Sequence, residues 1–217
     1  MNRRDFLKAT GISLAGLAAM CMGCGSTSAT SAPVAAVTTN EGAKQVMDTK
    51  NGKKILIAYY SWSGNTKALA EEIHKQVGGD LYPIVPSTPY SETYAVTVAK
   101  AKQEQLSNAR PAIKTMIPNV DQYDMVLLGY PNWWGSYPMM IATFAEKYNV
   151  DGKKFAPFFT HGGGGEQRCA SDLRRLLPKA DIQESLCLSG NSARSAQGEV
   201  STWLKKLGML LAIYWAF

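Results

Sequence analysis

Six residues between an apolar run and a stretch of helical spacing carry clear binding chemistry. They are Ser61, Trp62, Ser63, Gly64, Asn65 and Thr66. The first turn of a helix offers N–H groups without partners and the positive end of the helix dipole, and short polar side chains add donors around an anion. A single helix cap needs only one such side chain. The pattern therefore predicts a phosphate-binding turn, and a plain helix cap is the alternative.

Two adjacent tryptophans follow a later apolar run. This loop contains Pro131, Asn132, Trp133, Trp134 and Gly135. Because adjacent indole rings on a loop are costly to expose, we expect one or both to cover something planar and apolar, such as an aromatic ring system. The alternative is that the tryptophans belong to the core and close the edge of a sheet.

Consecutive glycines follow the next apolar run, in the loop Thr160, His161, Gly162, Gly163 and Gly164. Glycine lets the backbone approach a ligand closely and present bare N–H groups, although a mobile surface loop would also tolerate it. Two interpretations stay open for His161: an exposed loop residue, or a hydrogen-bond donor at the edge of the ligand.

Five short β-rich runs must position these loops. The predicted strands are Ile55–Tyr60, Leu81–Val85, Met125–Tyr130, Phe155–Thr160 and Ile182–Leu188, and a stretch of helical spacing follows each of them. Crossovers of this length return each strand in the same direction, so the pattern predicts an α/β fold with a parallel sheet and helices on both faces. Ligands of such sheets bind beyond the carboxyl ends of the strands, which is where the three loops fall.

The loops resemble those of the flavodoxin family. The Ser-x-Ser-Gly-Asn-Thr stretch matches the family's phosphate loop, and GYPNWWGSYPM with THGGGG looks like the ring-binding loops of its exported or lipoprotein-like bacterial branch. The resemblance covers Lys53 to Leu207. It implies a flavodoxin-like three-layer sandwich with a five-stranded parallel sheet in the order 2-1-3-4-5, and FMN as the cofactor. It also implies that Ser61, Ser63, Asn65 and Thr66 bind the phosphate, while residues 131–135 and 160–164 hold the isoalloxazine ring.

The first residues of the chain predict an exported protein. Residues 1–24 contain Arg3-Arg4-Asp5-Phe6-Leu7-Lys8 and a short apolar run, and they resemble a twin-arginine signal, with a plain basic leader as the alternative. Cys24 after Gly23 is either a lipidation site or an incidental cysteine. Residues 25–52 read as a flexible linker, 53–208 as the folded domain, and 209–217 as an apolar tail of unassigned role. The expected location is the periplasm or, through Cys24, the cell envelope.

Several function classes do not fit the composition. The net charge is +6, but no run of Lys or Arg exceeds two residues, so a nucleic-acid partner is not expected. Only two histidines occur, and the cysteines lack metal-ligand spacing, so no metal site is predicted. Cys169 and Cys187 either pair in an oxidising compartment or remain free thiols. No catalytic residue is assigned, because neither histidine has a persuasive nucleophilic partner.

Three functions remain after these exclusions. The first is an FMN-binding redox protein outside the cytoplasm that exchanges electrons with a partner protein or a small electron acceptor. The second is an NAD(P)H-dependent reductase of quinone-type acceptors. The third is a tethered binding module on the same fold without a cofactor.

Overall fold

The computed structural model describes residues 52–210, with the exception of Thr115, Pro118 and Asn149. The predicted signal segment, the Cys24 site, the linker up to residue 51 and the tail beyond residue 210 lie outside the described residues. The first tail residue that is described, Met209, is buried against the body of the protein.

Strands and helices alternate along the described part of the chain, as predicted. The strands are β1 Ile55–Tyr59, β2 Asp80–Pro83, β3 Met125–Pro131, β4 Lys154–His161, β5 Asp181–Ile182 and β6 Leu186–Ser189. The helices are α1 Asn65–Val77, α2 Tyr94–Leu106, α3 Met139–Glu146, α4 Cys169–Leu176 and α5 Gln197–Lys206, with a short 3-10 turn at Val120–Gln122.

The strands form one parallel sheet in the order β2-β1-β3-β4-β5, which confirms the predicted fold class. β1 lies between β2 and β3, with Leu56 opposite Val126 of β3 and Ile57 opposite Leu81 of β2. Every residue of β1 is buried, because helices cover both faces of a parallel sheet.

The second strand has other bounds than predicted. β2 covers Asp80–Pro83 instead of Leu81–Val85. Its buried start is held by the Tyr123 hydroxyl, which donates a hydrogen bond of 2.7 Å to the Asp80 carboxylate. α2 begins at Tyr94, after Thr93 in an extended conformation.

The prediction of one continuous fifth strand is wrong. β5 and β6 both pair with β4. Ile182 lies opposite Phe155 and Leu186 lies opposite Phe158, so an advance of four residues on one side matches an advance of three on β4. The segment between β5 and β6 therefore carries one extra residue. The break has a physical cause: the Glu184 carbonyl accepts a 2.9 Å hydrogen bond from the Trp203 indole of α5, so this peptide group pairs with a helix.

Two apolar clusters cover the two faces of the sheet and complete the predicted three-layer sandwich. Alternate residues of β1 serve each side: Leu56 and Ala58 belong to one cluster, and Ile55 and Ile57 to the other. Helices α1 and α5 pack together on the second face, whereas α2, α3 and α4 pack in sequence on the first.

Both cysteines of the folded domain are free thiols in the structure. Cys169 is buried and Cys187 is half-buried. Burial raises the pKa of the Cys169 thiol to about 12 and that of Cys187 to about 11. Both side chains therefore remain protonated at neutral pH.

The close contact of β3 with β4 provides a test of this packing. A Cβ on Gly129 would lie 2.2 Å from ring atoms of Phe158, a fully buried residue. We expect Gly129→Ala to lower the free energy of unfolding by about 1–3 kcal/mol, because overpacking forces the ring off its rotamer. The control is Gly198→Ala in α5, where a Cβ meets nothing within 4 Å. Denaturant unfolding followed by circular dichroism measures both, and equal stability of the two variants would contradict the described packing.

Candidate functional site

The predicted loops meet at the carboxyl edge of the sheet around one cavity of about 550 Å³. Its wall contains Trp62, Ser63, Asn65, Pro131, Asn132, Trp133, Trp134, Thr160, His161, Gly162 and Gly163 from the predicted set. It also contains residues that the sequence did not indicate, namely Tyr94, Thr97, Val98, Ala101, Ser189, Gly190 and Asn191. Ser61, Gly64, Thr66, Gly135 and Gly164 lie in the same loops but are not part of the wall.

The turn between β1 and α1 has the features expected of an anion site. Gly64 precedes the helix with φ +86°, a left-handed conformation that favours glycine. The first turn of α1 contains no acidic side chain, so its positive dipole end is not neutralised from within the helix. The Ser61 hydroxyl is buried and has no hydrogen-bond partner among the described residues. A buried donor without a partner is costly, and an anion in the turn would satisfy it.

Thr66 connects this turn to β4. Its hydroxyl shares a buried hydrogen bond of 2.7 Å with the hydroxyl of Thr160, the residue before His161. The contact holds the start of α1 against the end of β4. It therefore sets the distance between the loop after β1 and the loop after β4.

Trp133 occupies the inner side of the cavity. Its ring meets Tyr60 edge-on at a centroid distance of 5.6 Å and Tyr90 at 5.0 Å, with interplanar angles of 87° and 80°. Edge-to-face contacts of this kind hold an aromatic ring in one orientation. The interpretation of a core tryptophan therefore fits Trp133, although this residue also contributes to the cavity wall.

Trp134 lies at the rim and is 47% exposed. Its backbone has φ +54°, which is uncommon for a residue with a side chain, and its indole N–H donates a 3.0 Å hydrogen bond to the Val98 carbonyl of α2. The Lys102 ammonium lies 4.8 Å from the ring centroid, and the Arg168 guanidinium donates to the Trp134 carbonyl. These contacts tie the rim of the loop to α2 and to the segment before α4.

Asn132 shapes the tryptophan loop from inside. Its side-chain carbonyl accepts a 2.9 Å hydrogen bond from the Gly135 N–H, and its amide donates to the Gly165 carbonyl at 2.7 Å. Gly135 has φ +81°, and a Cβ there would lie 2.5 Å from the Gln167 side-chain oxygen. The Asn132 side chain thus connects the tryptophan loop with the glycine loop after β4.

The glycine loop after β4 keeps His161 in a defined position. The His161 Nδ1 accepts a 3.0 Å hydrogen bond from the Gly163 N–H, and its backbone carbonyl accepts one of 2.9 Å from Gly190. The Nδ1 atom is therefore an acceptor, which leaves Nε2 as the ring donor. Gly162 and Gly163 contribute open backbone to the wall, whereas the space around Gly164 is taken by the Gln167 amide.

The segment after β6 closes the cavity on its third side. A Cβ on Gly190 would lie 2.4 Å from the Asn65 side-chain nitrogen, so glycine is required for Asn65 to take its place in the turn. The sequence does contain a signal for this segment. The run Ser189-Gly190-Asn191 at the end of β6 resembles the turn after β1 in residue types. On the opposite side, Tyr94 of α2 packs near Trp62 at a centroid distance of 6.1 Å.

The described wall combines polar and apolar groups and carries no Asp, Glu, Lys or Arg. Within the described ranges no group of three or more His, Cys, Asp or Glu is placed to hold a metal ion. In that same part of the chain, no helix has both the length and the apolar character needed to cross a bilayer.

The hydrogen bond between Thr66 and Thr160 provides a test of how the two loops are joined. We expect Thr66→Val to lower the free energy of unfolding by about 1–3 kcal/mol, because the Thr160 hydroxyl is then buried without its partner. The double variant with Thr160→Val should cost less than the sum of the single changes, since both polar groups are removed together. Denaturant unfolding of the four proteins gives the coupling energy, and strict additivity would argue against the bond.

Comparison with known proteins agrees with this architecture. The family model described as flavodoxin matches residues 54–207, and no curated protein matches the chain. A candidate flavoprotein from Bacteroides eggerthii is 35% identical and has a TM-score of 0.65, with 72% of this chain and 98% of that chain covered. A flavoprotein from Lactobacillus acidophilus, solved in complex with FMN, is 26% identical and has a TM-score of 0.58, covering 70% of this chain and 98% of its own. This chain belongs to the flavodoxin family.

Proposed function

We propose that this protein binds FMN noncovalently in the cavity and exchanges electrons with a redox partner protein or a small electron acceptor outside the cytoplasm. The observation that carries the proposal is that one cavity combines a site for an anion with a site for a flat ring. An anion-type turn at the start of α1 lies beside a neutral slot lined by indole rings and bare glycine backbone.

The residues at the turn fit a phosphate group. Ser63 and Asn65 line the cavity, and the buried hydroxyl of Ser61 lacks a partner among the described residues. Phosphate oxygens would accept hydrogen bonds from these groups and from the first N–H groups of α1. The relative from Lactobacillus acidophilus is described in complex with FMN, which supports FMN as the ligand of this chain.

The remaining wall fits a flat heterocycle. Trp133 is fixed by its aromatic neighbours, Trp134 is held at the rim, and Gly162 and Gly163 leave room for close approach of the backbone. The volume of about 550 Å³ falls within the usual range for small-molecule sites, about 300–1,000 Å³. Bound FMN would supply one- and two-electron transfer, while the chain binds it, orients it and excludes water from one face.

Binding of FMN is the first expected outcome. Apoprotein titrated with FMN should quench flavin fluorescence with one flavin per chain. Gly190→Ala should weaken this binding about tenfold, equivalent to about 1.4 kcal/mol, because the new methyl group displaces the Asn65 side chain. Gly198→Ala serves as the matched control and should bind as the unaltered protein does. Protein that neither contains flavin nor accepts added FMN would instead favour the cofactor-free module.

The proposed location outside the cytoplasm is supported by the resemblance of the segment containing Arg3 and Arg4 to a twin-arginine signal. That route exports folded proteins, so FMN would cross the membrane already in place. Replacing both arginines by lysine should abolish flavin-containing protein outside the membrane, measured by fractionation and flavin fluorescence. Undiminished export of the variant would defeat this part of the proposal.

Lipidation of Cys24 would hold the protein at the envelope, and its replacement by Ser would then release it.

A reductase of quinone-type acceptors is separated from an electron carrier by direct mixing with NADPH. In stopped-flow mixing, NADPH should reduce the flavin of an electron carrier very slowly. The flavin of a reductase should be reduced at least as fast as the enzyme turns over.

A further inference from the structure

Arg194 lies beside the anion-type turn although it belongs to the segment after β6. A Cβ built on Gly64 would lie 3.6 Å from a terminal guanidinium nitrogen of Arg194. Gly64 immediately precedes α1, so the guanidinium is in contact range of the turn that holds the unpartnered Ser61 hydroxyl. We infer that Arg194 binds the phosphate of the flavin and makes the site select FMN over unphosphorylated riboflavin. This inference rests on the proposed function.

The backbone that carries Arg194 is already ordered by contacts within the described residues. The Ser192 and Ala193 N–H groups both donate to the Ser189 carbonyl, at 3.0 and 3.2 Å. Ala193 is fully buried against the α1–α5 face, and the Gly190 N–H donates to the His161 carbonyl. Binding an anion would therefore require ordering of the Arg194 side chain and not of its loop, which keeps the entropic cost small.

The charge of Arg194 is available for a ligand. Across the described ranges, the Arg194 side chain has neither a hydrogen bond nor an ion pair. Arg168, which contacts the tryptophan loop, differs in this respect because it approaches the Asp172 carboxylate at 3.5 Å. The first turn of α1 offers no acidic residue, and Glu71 in its second turn approaches Lys67 at 3.7 Å. An arginine left exposed and unpaired beside a helix start is a suitable partner for a phosphate dianion.

The chemistry favours a phosphate over any other part of a flavin. A guanidinium presents a planar fork of N–H donors that matches two phosphate oxygens, and such charge-assisted bonds are stronger than neutral ones. The described wall of the cavity contains no Lys or Arg, so the neutral donors of the turn would supply directional bonds and Arg194 the full positive charge. Riboflavin lacks the phosphate and would gain nothing from Arg194, and this difference makes the role testable.

The test measures FMN and riboflavin binding to the full-length apoprotein by quenching of flavin fluorescence. Arg194→Gln should raise the dissociation constant for FMN about tenfold and leave that for riboflavin within about twofold. Arg194→Lys keeps a charge but not the fork, and should give an intermediate value for FMN. The matched control is Arg174→Gln, which removes the same charge from an exposed position of α4 outside the cavity wall. Added salt should weaken FMN binding more in the unaltered protein than in Arg194→Gln.

Each other outcome has a distinct meaning. Equal weakening of both flavins in Arg194→Gln would overturn the inference and assign Arg194 a purely structural role. Unchanged FMN binding in this variant would also overturn it, while the proposed function would stand. If the unaltered protein binds neither flavin, the proposed function fails, and the inference fails with it. Selective loss of FMN affinity in Arg174→Gln as well would show a general effect of net charge and would contradict a specific contact.

Discussion

Parallel pairing of β1, β3 and β4 is the constraint on which the site depends. Because these strands run side by side in one direction, the segments that follow them emerge at the same edge of the sheet. The buried hydrogen bond between Thr66 and Thr160 then fixes the separation of the first and the third of these segments. Residues that are far apart in sequence become neighbours for this reason.

The cavity combines a neutral wall with positive charge outside it. Its described wall lacks ionic side chains, but Arg194 lies at the turn and Lys102 and Arg168 lie around Trp134. This arrangement suits a ligand that is apolar in one part and anionic in another.

The sequence predicted the sheet and the three loops because both depend on local signals. Apolar runs define buried strands, and clusters of Ser, Asn and Gly mark the segments where backbone must meet a ligand. The contribution of Gly190 and Arg194 was missed, since it depends on how the segment after β6 folds back to Asn65. The break in the fifth strand was missed for a similar reason: it follows from the hydrogen bond of the Trp203 indole, and no pattern within the strand encodes it.

The most direct measurement is identification of the molecule that the natively produced protein carries. Protein isolated from the cell compartment where it resides is denatured, and the released material is analysed by mass spectrometry and by flavin absorbance. The expected result is FMN at one molecule per chain. Colourless protein, or protein that carries only an unphosphorylated flavin, would contradict the assignment of the turn before α1 as a phosphate site.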